Sequence, residues 1–389
     1  MNGAIFTPSF YGFCTWAATY LIYISDLLPW EPAAPEVHLI FILQMALFFA
    51  ATLLFSKYFA VEKQTGRSLW SIRIPSVWVV VCLHAIGFAG IAKFALDFSP
   101  SLPDGFVGSL LGDSSQIRAL GAEMTSVGTQ LSYFGWLAIG ISVCYRKINW
   151  WLISISLLQL FSNFVFIDRT RPVWILFTVF LCLVWTRKDL DGWRVFRYLA
   201  LLGIVFILLF VAVALWSGKT GDGLFDDNVN PLIGSLYLYL TAGFAYFGHM
   251  LQVELPPDYL VPERIFAPAL TVLAGFGISA PPPTQILDFY EMPYPSNVGT
   301  ALEPFYRDGG FVFLMVGMLI YSFGFNIFGL WLLKSRNAVA VYAWATLCFC
   351  NFIGFFTPKI GNFPVWFFVI VGVVAALSFS GKLRSEVAK

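Results

Sequence analysis

The chain has 389 residues, of which 59% are hydrophobic, 18% aromatic and only 12% charged, with a formal net charge of +1. Ordinary soluble domains carry about 25% charged residues, so this balance excludes water as the main solvent and points to a bilayer. Six cysteines (Cys14, Cys82, Cys144, Cys182, Cys348 and Cys350) fall inside or at the ends of apolar stretches, which argues against a disulfide framework or a zinc site.

A bilayer core asks for about 20 predominantly apolar residues per helix, and the sequence supplies such stretches in succession with short charged breaks. In chain order the expected spans are residues 10–28, 38–59, 76–95, 126–144, 150–167, 173–185, 198–216, 310–333, 338–356 and 363–380. The first lacks a basic leader and a small-residue cleavage site, so it is read as a retained span. Only helices satisfy every backbone group within one segment. The expected fold is therefore an all-α polytopic membrane protein with about ten transmembrane helices, a single integral membrane domain over 1–389.

Basic residues mark every second connection. Lys57, Lys63, Arg67 and Arg73 follow the second span; Arg146 and Lys147 the fourth; Arg187, Lys188, Arg194 and Arg197 the sixth; Lys334 and Arg336 the eighth; Lys382, Arg384 and Lys389 close the chain. The positive-inside rule then puts both termini in the cytoplasm. Only Glu62, Asp189, Asp191 and Glu386 oppose them on that face, so the outer face takes most of the acids. The cytoplasmic connections are short and hold no glycine-rich phosphate loop, which excludes a nucleotide-driven machine. The outer side instead holds one large loop, 217–308, between spans seven and eight, and a shorter one at 97–125.

Within the large loop, 231–251 and 264–279 are apolar and are expected to lie on, or dip into, the outer leaflet; crossing with both would preserve parity. The proline-rich run 280–284 and the acidic tract 222–227 read as irregular surface segments. No internal repeat stands out, which disfavours inverted-repeat transporters.

Ionisable groups beside a span are expensive and mark function. The turn IDRTRP at 167–172 presents Asp168, Arg169 and Arg171, and planar guanidinium groups suit the oxygens of a pyrophosphate. An interfacial turn with an Asp–Arg pair is the plain alternative. Arg118 sits in the shorter outer loop, where it serves either the same anion or only the surface. The stretch NVGTALEPFYRDGG (297–310) enters the eighth span with Glu303, Tyr306, Arg307 and Asp308, which offers a base and anion binders, or merely helix-capping acids. His249, in YFGHML, is an imidazole beside an apolar surface and a candidate proton acceptor. His84 and His38 are read as packing residues, and Lys93 with Asp97, four apart, as a helix-surface ion pair.

Three of these places resemble the bacterial oligosaccharide repeat unit polymerases, the Wzy-type O-antigen polymerases. TRPVWILFTVFL resembles the family's small-residue, arginine and apolar run, with Arg171 as the matching arginine. LYLYLTAGFAYF is similar to its tyrosine, leucine, threonine, glycine and aromatic pattern through Tyr239, Thr241, Gly243 and Phe247. NVGTALEPFYRDGG resembles its signature through Asn297, Thr300, Pro304, Tyr306, Asp308 and Gly310, with Arg307 and Gly309 departing from it. The resemblance implies an inner-membrane glycosyltransferase of the periplasmic face that acts on undecaprenyl-pyrophosphate-linked glycans as donor and acceptor. It implies no cofactor, metal or nucleic acid, and it leaves room for a chain-length regulator. Arg171, Arg169 and Arg118 become the expected contacts of the departing pyrophosphate. Asp308 and Glu303, then His249, are the expected bases; Tyr239, Thr241, Asn297, Thr300, Tyr306 and Arg307 are expected to bind substrate. The rivals are an O-antigen ligase and, further off, a flippase for lipid-linked sugars.

Overall fold

The computed structural model describes residues 3–387 except 69–71, 113, 115, 118–119, 121–125, 146, 148, 169, 188–191, 217–229, 255–259 and 284–286. Arg118 and Arg169 therefore lie outside the described residues, as does the acidic tract at 222–227. The described chain is all-α apart from a two-residue hairpin, β1 (Tyr290–Glu291) and β2 (Pro295–Ser296), which pairs Tyr290 with Ser296. Its helices are α1 (Pro8–Ile24), α2 (Pro35–Ser68), α3 (Val77–Phe98), α4 (Gly105–Leu111), α5 (Val127–Ser142), α6 (Trp150–Ser162), α7 (Thr170–Thr186), α8 (Gly192–Trp216), α9 (Pro231–Val253), α10 (Ala267–Gly275), α11 (Glu303–Leu319), α12 (Phe325–Lys334), α13 (Ala338–Ile353) and α14 (Phe363–Val387).

Each interval expected to span is mostly helix, and the starts follow local chemistry. Pro8 and Pro231 open α1 and α9, where the missing N–H costs nothing. Ser126 caps α5 by accepting from Gly128 N at 3.0 Å, and Asn230 caps α9 by accepting from Leu232 N at 3.0 Å. Among the described residues, four stretches are long and apolar enough to cross a membrane: Pro35–Gln64, Val77–Ser101, Trp193–Val213 and Glu303–Lys334. Trp150–Phe166, Thr170–Thr186, Ala338–Ile353 and Phe363–Ser378 are apolar but shorter. The protein is thus an all-α membrane protein, and all six of its cysteines are free.

The chain packs as two compact units. The first comprises Met1–Gln64, Gly221–Lys334 and Thr346–Val369; the second comprises Thr65–Thr220, Ser335–Ala345 and Ile370–Lys389.

In the second unit α3 and α5 touch backbone to backbone. A Cβ on Gly87 would lie 2.6 Å from Gly135 Cα, and one on Gly128 would lie 2.4 Å from the Gly90 carbonyl. Small residues at such a seam let apolar helices associate where no hydrophobic drive exists between them. Polar side chains of α6 and its 3-10 extension close the third side: Asn163 accepts from Trp136 Nε1 at 2.7 Å, and Ser156 lies 3.3 Å from Nε2 of the buried His84. Lys93 pairs with Asp97, as their spacing predicts, and Ser126 adds a hydrogen bond of 2.7 Å to Asp97.

In the first unit the aromatic core runs through Trp16 and Tyr20 of α1, Phe41 and Phe48 of α2, and Phe244 of α9, with Phe41 and Phe244 centroids 4.8 Å apart. Residues 231–251 form α9, whose Thr241, Ala242, Gly243, Phe244, Ala245, Tyr246 and Phe247 are all buried. The cause is the alternation of small and aromatic residues. A Cβ at Gly243 would stand 2.2 Å from the Phe355 carbonyl, so glycine is what admits that neighbour, and a helix apolar on all sides is a buried one. Segment 264–279 gives the short α10, whose Val272 and Leu273 remain exposed.

Candidate active site

The site of the first unit begins at a break. Gly309 and Gly310 interrupt α11 with non-helical dihedrals, Gly310 at φ 57° and ψ −146°, a region essentially closed to residues with a Cβ. The turn Glu303–Asp308 is thereby set apart from the apolar helix that follows, and its polar side chains gather at that helix's mouth.

Arg307 is the hub. Its Nη2 donates to Glu254 Oε1 at 2.7 Å and to the Tyr246 hydroxyl at 3.1 Å. Its Nε stands 2.8 Å from Glu303 Oε1, but that oxygen lies off the N–H direction, so the pair is ionic rather than a formed hydrogen bond. Glu303 is only 2% exposed, and Gly299 makes the room for it: a Cβ there would meet the Glu303 side chain at 2.9 Å. Tyr290 donates its hydroxyl to Glu254 and stacks on Tyr246 with centroids 4.9 Å apart. Burial first, and then the Glu254 carboxylate, push the Tyr290 hydroxyl up to about 12, so it stays a donor. Tyr306, almost fully buried, donates to the Glu254 carbonyl at 3.3 Å.

Beyond Tyr290, whose ring lies 4.9 Å away, His249 turns Nδ1 toward Glu31 Oε2 at 2.9 Å. A small recess adjoins this pair, lined by Glu31, Pro32, Ala33, Ala245, His249, Gln252 and Met292.

Asp308, the first of the expected bases, is held by the main chain, and burial pushes its carboxyl up to about 6. Both of its carboxylate oxygens accept main-chain hydrogen bonds, from Arg264 N at 2.9 Å and 3.1 Å and from Ile265 N at 3.0 Å, and its carbonyl accepts from Val261 N at 3.1 Å. It is a strut that fixes the 261–265 segment. Thr241 and Thr300 are likewise fully buried: Thr241 accepts from Trp30 Nε1 at 3.0 Å and donates to the Tyr237 carbonyl, while Thr300 Oγ1 accepts from Leu302 N at the start of α11. Their hydroxyls are consumed by packing and capping. Tyr239 stacks on Phe356 at 5.2 Å, and Asn297 is half-buried just past β2.

Arg171 belongs to the second unit, at the first turn of α7. Its guanidinium lies over the Phe166 ring at 3.9 Å, with Tyr133 at 5.7 Å and Trp136 at 5.6 Å, and its Nε is 3.5 Å from Asp168. Asp168 also accepts from Thr170 N at 2.8 Å, which caps the helix. Ile167, directly before, has φ 50°, a left-handed conformation that a β-branched residue adopts only under constraint. The Nη1 of Arg171 is buried and has no hydrogen-bond partner among the described residues.

Sequence reasoning brought out Glu303, Tyr306, Arg307, Asp308 and His249, which the structure gathers in one unit. It did not single out Glu254, at the C-cap of the same α9 that carries His249, nor Glu31 and Tyr290, which arrive from two other segments and carry no local signature. No family model, curated protein or solved structure matches the chain.

Proposed function

We propose that this chain is a bacterial inner-membrane polymerase that joins undecaprenyl-pyrophosphate-linked oligosaccharide repeat units on the periplasmic face, into O-antigen or a related surface polysaccharide. In this reading it crosses the membrane ten times with both termini cytoplasmic, and α9 and α10 belong to the periplasmic loop. One observation carries the proposal. The ionisable residues of the 297–310 stretch stand together with His249, Glu31 and Glu254 at the mouth of an apolar helix, rather than along its length. A conduit for a polar solute places its polar groups at mid-membrane; an enzyme acting on lipid-borne sugars needs them at the surface.

The reaction asks for few parts: a cation for the departing diphosphate, a base for the acceptor hydroxyl, and a lipid-side approach. Arg171 is assigned to the diphosphate on the resemblance alone; in its own unit its guanidinium plane lies over the Phe166 ring. Among the bases expected, Asp308 is spent on backbone amides and Glu303 is sealed against Arg307, so His249 at the recess takes that role.

The test is a cell-free assay of the purified chain with a lipid-linked single repeat unit. A ladder of polymer without lipid A supports the proposal. Transfer to lipid A with no ladder makes the chain a ligase, and movement of the lipid across vesicles with no new glycosidic bond makes it a flippase.

A further inference from the structure

Glu31 lies outside every segment that carries the family resemblance, yet its Oε2 is 2.9 Å from His249 Nδ1 across 218 residues of chain. An ionised carboxylate only accepts, so Nδ1 faces it with a proton, and in the neutral tautomer so oriented Nε2 is the acceptor. Nε2 has no hydrogen-bond partner among the described residues, and the imidazole is 21% exposed beside the recess.

An exposed ion pair normally contributes at most about 1 kcal/mol and is free to part. Glu31 is 52% exposed, yet its position is fixed from both sides. The buried Trp30 before it donates through Nε1 to Thr241 at 3.0 Å and sets its ring edge on Tyr294 at 5.6 Å. The Glu31 amide donates to the Met292 carbonyl at 3.4 Å, and Pro32 restricts the next φ. Thr241 thus acts at a distance, by holding the tryptophan that aims the carboxylate.

We propose that Glu31 is the positioning residue of a carboxylate–histidine dyad in which His249 Nε2 accepts the proton of the acceptor sugar's hydroxyl. The inference rests on the polymerase reading above. In the step, the hydroxyl O–H bond breaks and its proton passes to Nε2 while the oxygen bonds to the donor's anomeric carbon. The bond from that carbon to the diphosphate oxygen breaks, and its electron pair leaves with the diphosphate.

The experiment uses the full chain in lipid nanodiscs with a lipid-linked single repeat unit, and measures kcat and KM for wild type, Glu31→Gln, Glu31→Asp, His249→Gln and the double variant Glu31→Gln/His249→Gln. His249→Gln is expected to lower kcat about 100-fold or more, the range of general base catalysis. Glu31→Gln should lower kcat at least about tenfold with KM unchanged, Glu31→Asp should regain part of it, and Glu31→Gln should have no further effect in the His249→Gln background. An equal loss in both backgrounds, or a wild-type rate in Glu31→Gln, overturns the dyad while leaving the polymerase intact. A wild-type protein that makes no polymer overturns both. Gel filtration of each variant checks folding, and His249→Asn replaces His249→Gln if the latter aggregates.

Discussion

Replacing Arg307 by methionine tests the mouth of α11 most directly. The side chain keeps its length and loses its charge, so Glu303, 2% exposed, is left as a buried carboxylate with its cation gone, and Glu254 and Tyr246 each lose a donor. Breaking a buried pair from one side costs about 3–5 kcal/mol when the remaining group stays charged; burial already pushes the Glu303 carboxyl up to about 7, so without Arg307 it takes up a proton and the cost falls to about 3 kcal/mol or less. At roughly 2 °C per kcal/mol for a large chain, Arg307→Met should lower the melting temperature by up to about 6 °C. Fluorescence-detected gel filtration after a heating series reads that shift in detergent. The companion is Arg307→Met with Glu303→Gln, in which no charge is stranded at Glu303, and it should regain at least about half of the loss. A single variant that melts with wild type, or a double variant no better than the single, refutes the reasoning and leaves Arg307 a surface cation.

Three further outcomes follow from geometry. Gly310→Ala places a Cβ at φ 57° and ψ −146°, which costs about 1–3 kcal/mol or forces the break to straighten; a lowered melting temperature together with lost polymer is expected. Arg171→Lys should insert normally yet polymerise at least about tenfold more slowly, because an ammonium neither lies flat over Phe166 nor offers paired donors, and full activity would mean that charge alone suffices. Asp308→Asn turns one acceptor into a donor against the Arg264 and Ile265 amides, so limited proteolysis should begin to cut near 264; a variant that resists protease as wild type does but loses activity would return Asp308 to the list of bases.

The helices were readable because their cause is local. Twenty apolar residues with a proline, serine or asparagine at the start specify a helix without reference to the rest of the chain, as at Pro8, Ser126 and Asn230. The polar turn 303–308 was readable for the same reason, since charge beside an apolar run is conspicuous. Position in sequence was silent on what those charges would meet. Glu31 sits in WEPAAPE as one acid among several, and only the folding of α1, α2 and α9 around Phe41 and Phe244 brings it to His249. The burial of α9 escaped notice because a run of small and aromatic residues serves a lipid-facing helix and a core helix equally well, and the neighbour that decides, the Phe355 carbonyl against Gly243, is more than a hundred residues away. Arg307 and Gly309, the two departures from the family pattern, both have work in this fold: one is the hub of the network, and the other takes part in the break, with Phe313 so near that a Cβ would lie 2.5 Å from its ring.

Between α11 and α12 the helix runs through one π-turn, Ile320–Gly324, stitched to its neighbours by Gln44, which donates to Ser322 at 3.0 Å, and by Asn351, which donates to the Tyr321 carbonyl at 3.0 Å. A π-turn is in effect one extra residue in an α-helix, and each residue is worth about 100° of rotation. Deleting a single residue from 320–324 would keep the length and apolarity of the segment almost unchanged. It would also swing Glu303 and Arg307 about a quarter-turn away from Tyr246 and Glu254 relative to the lower half of the helix. The angular phase of the whole network is therefore written some three turns or more below it, in a stretch with no ionisable side chain except one tyrosine.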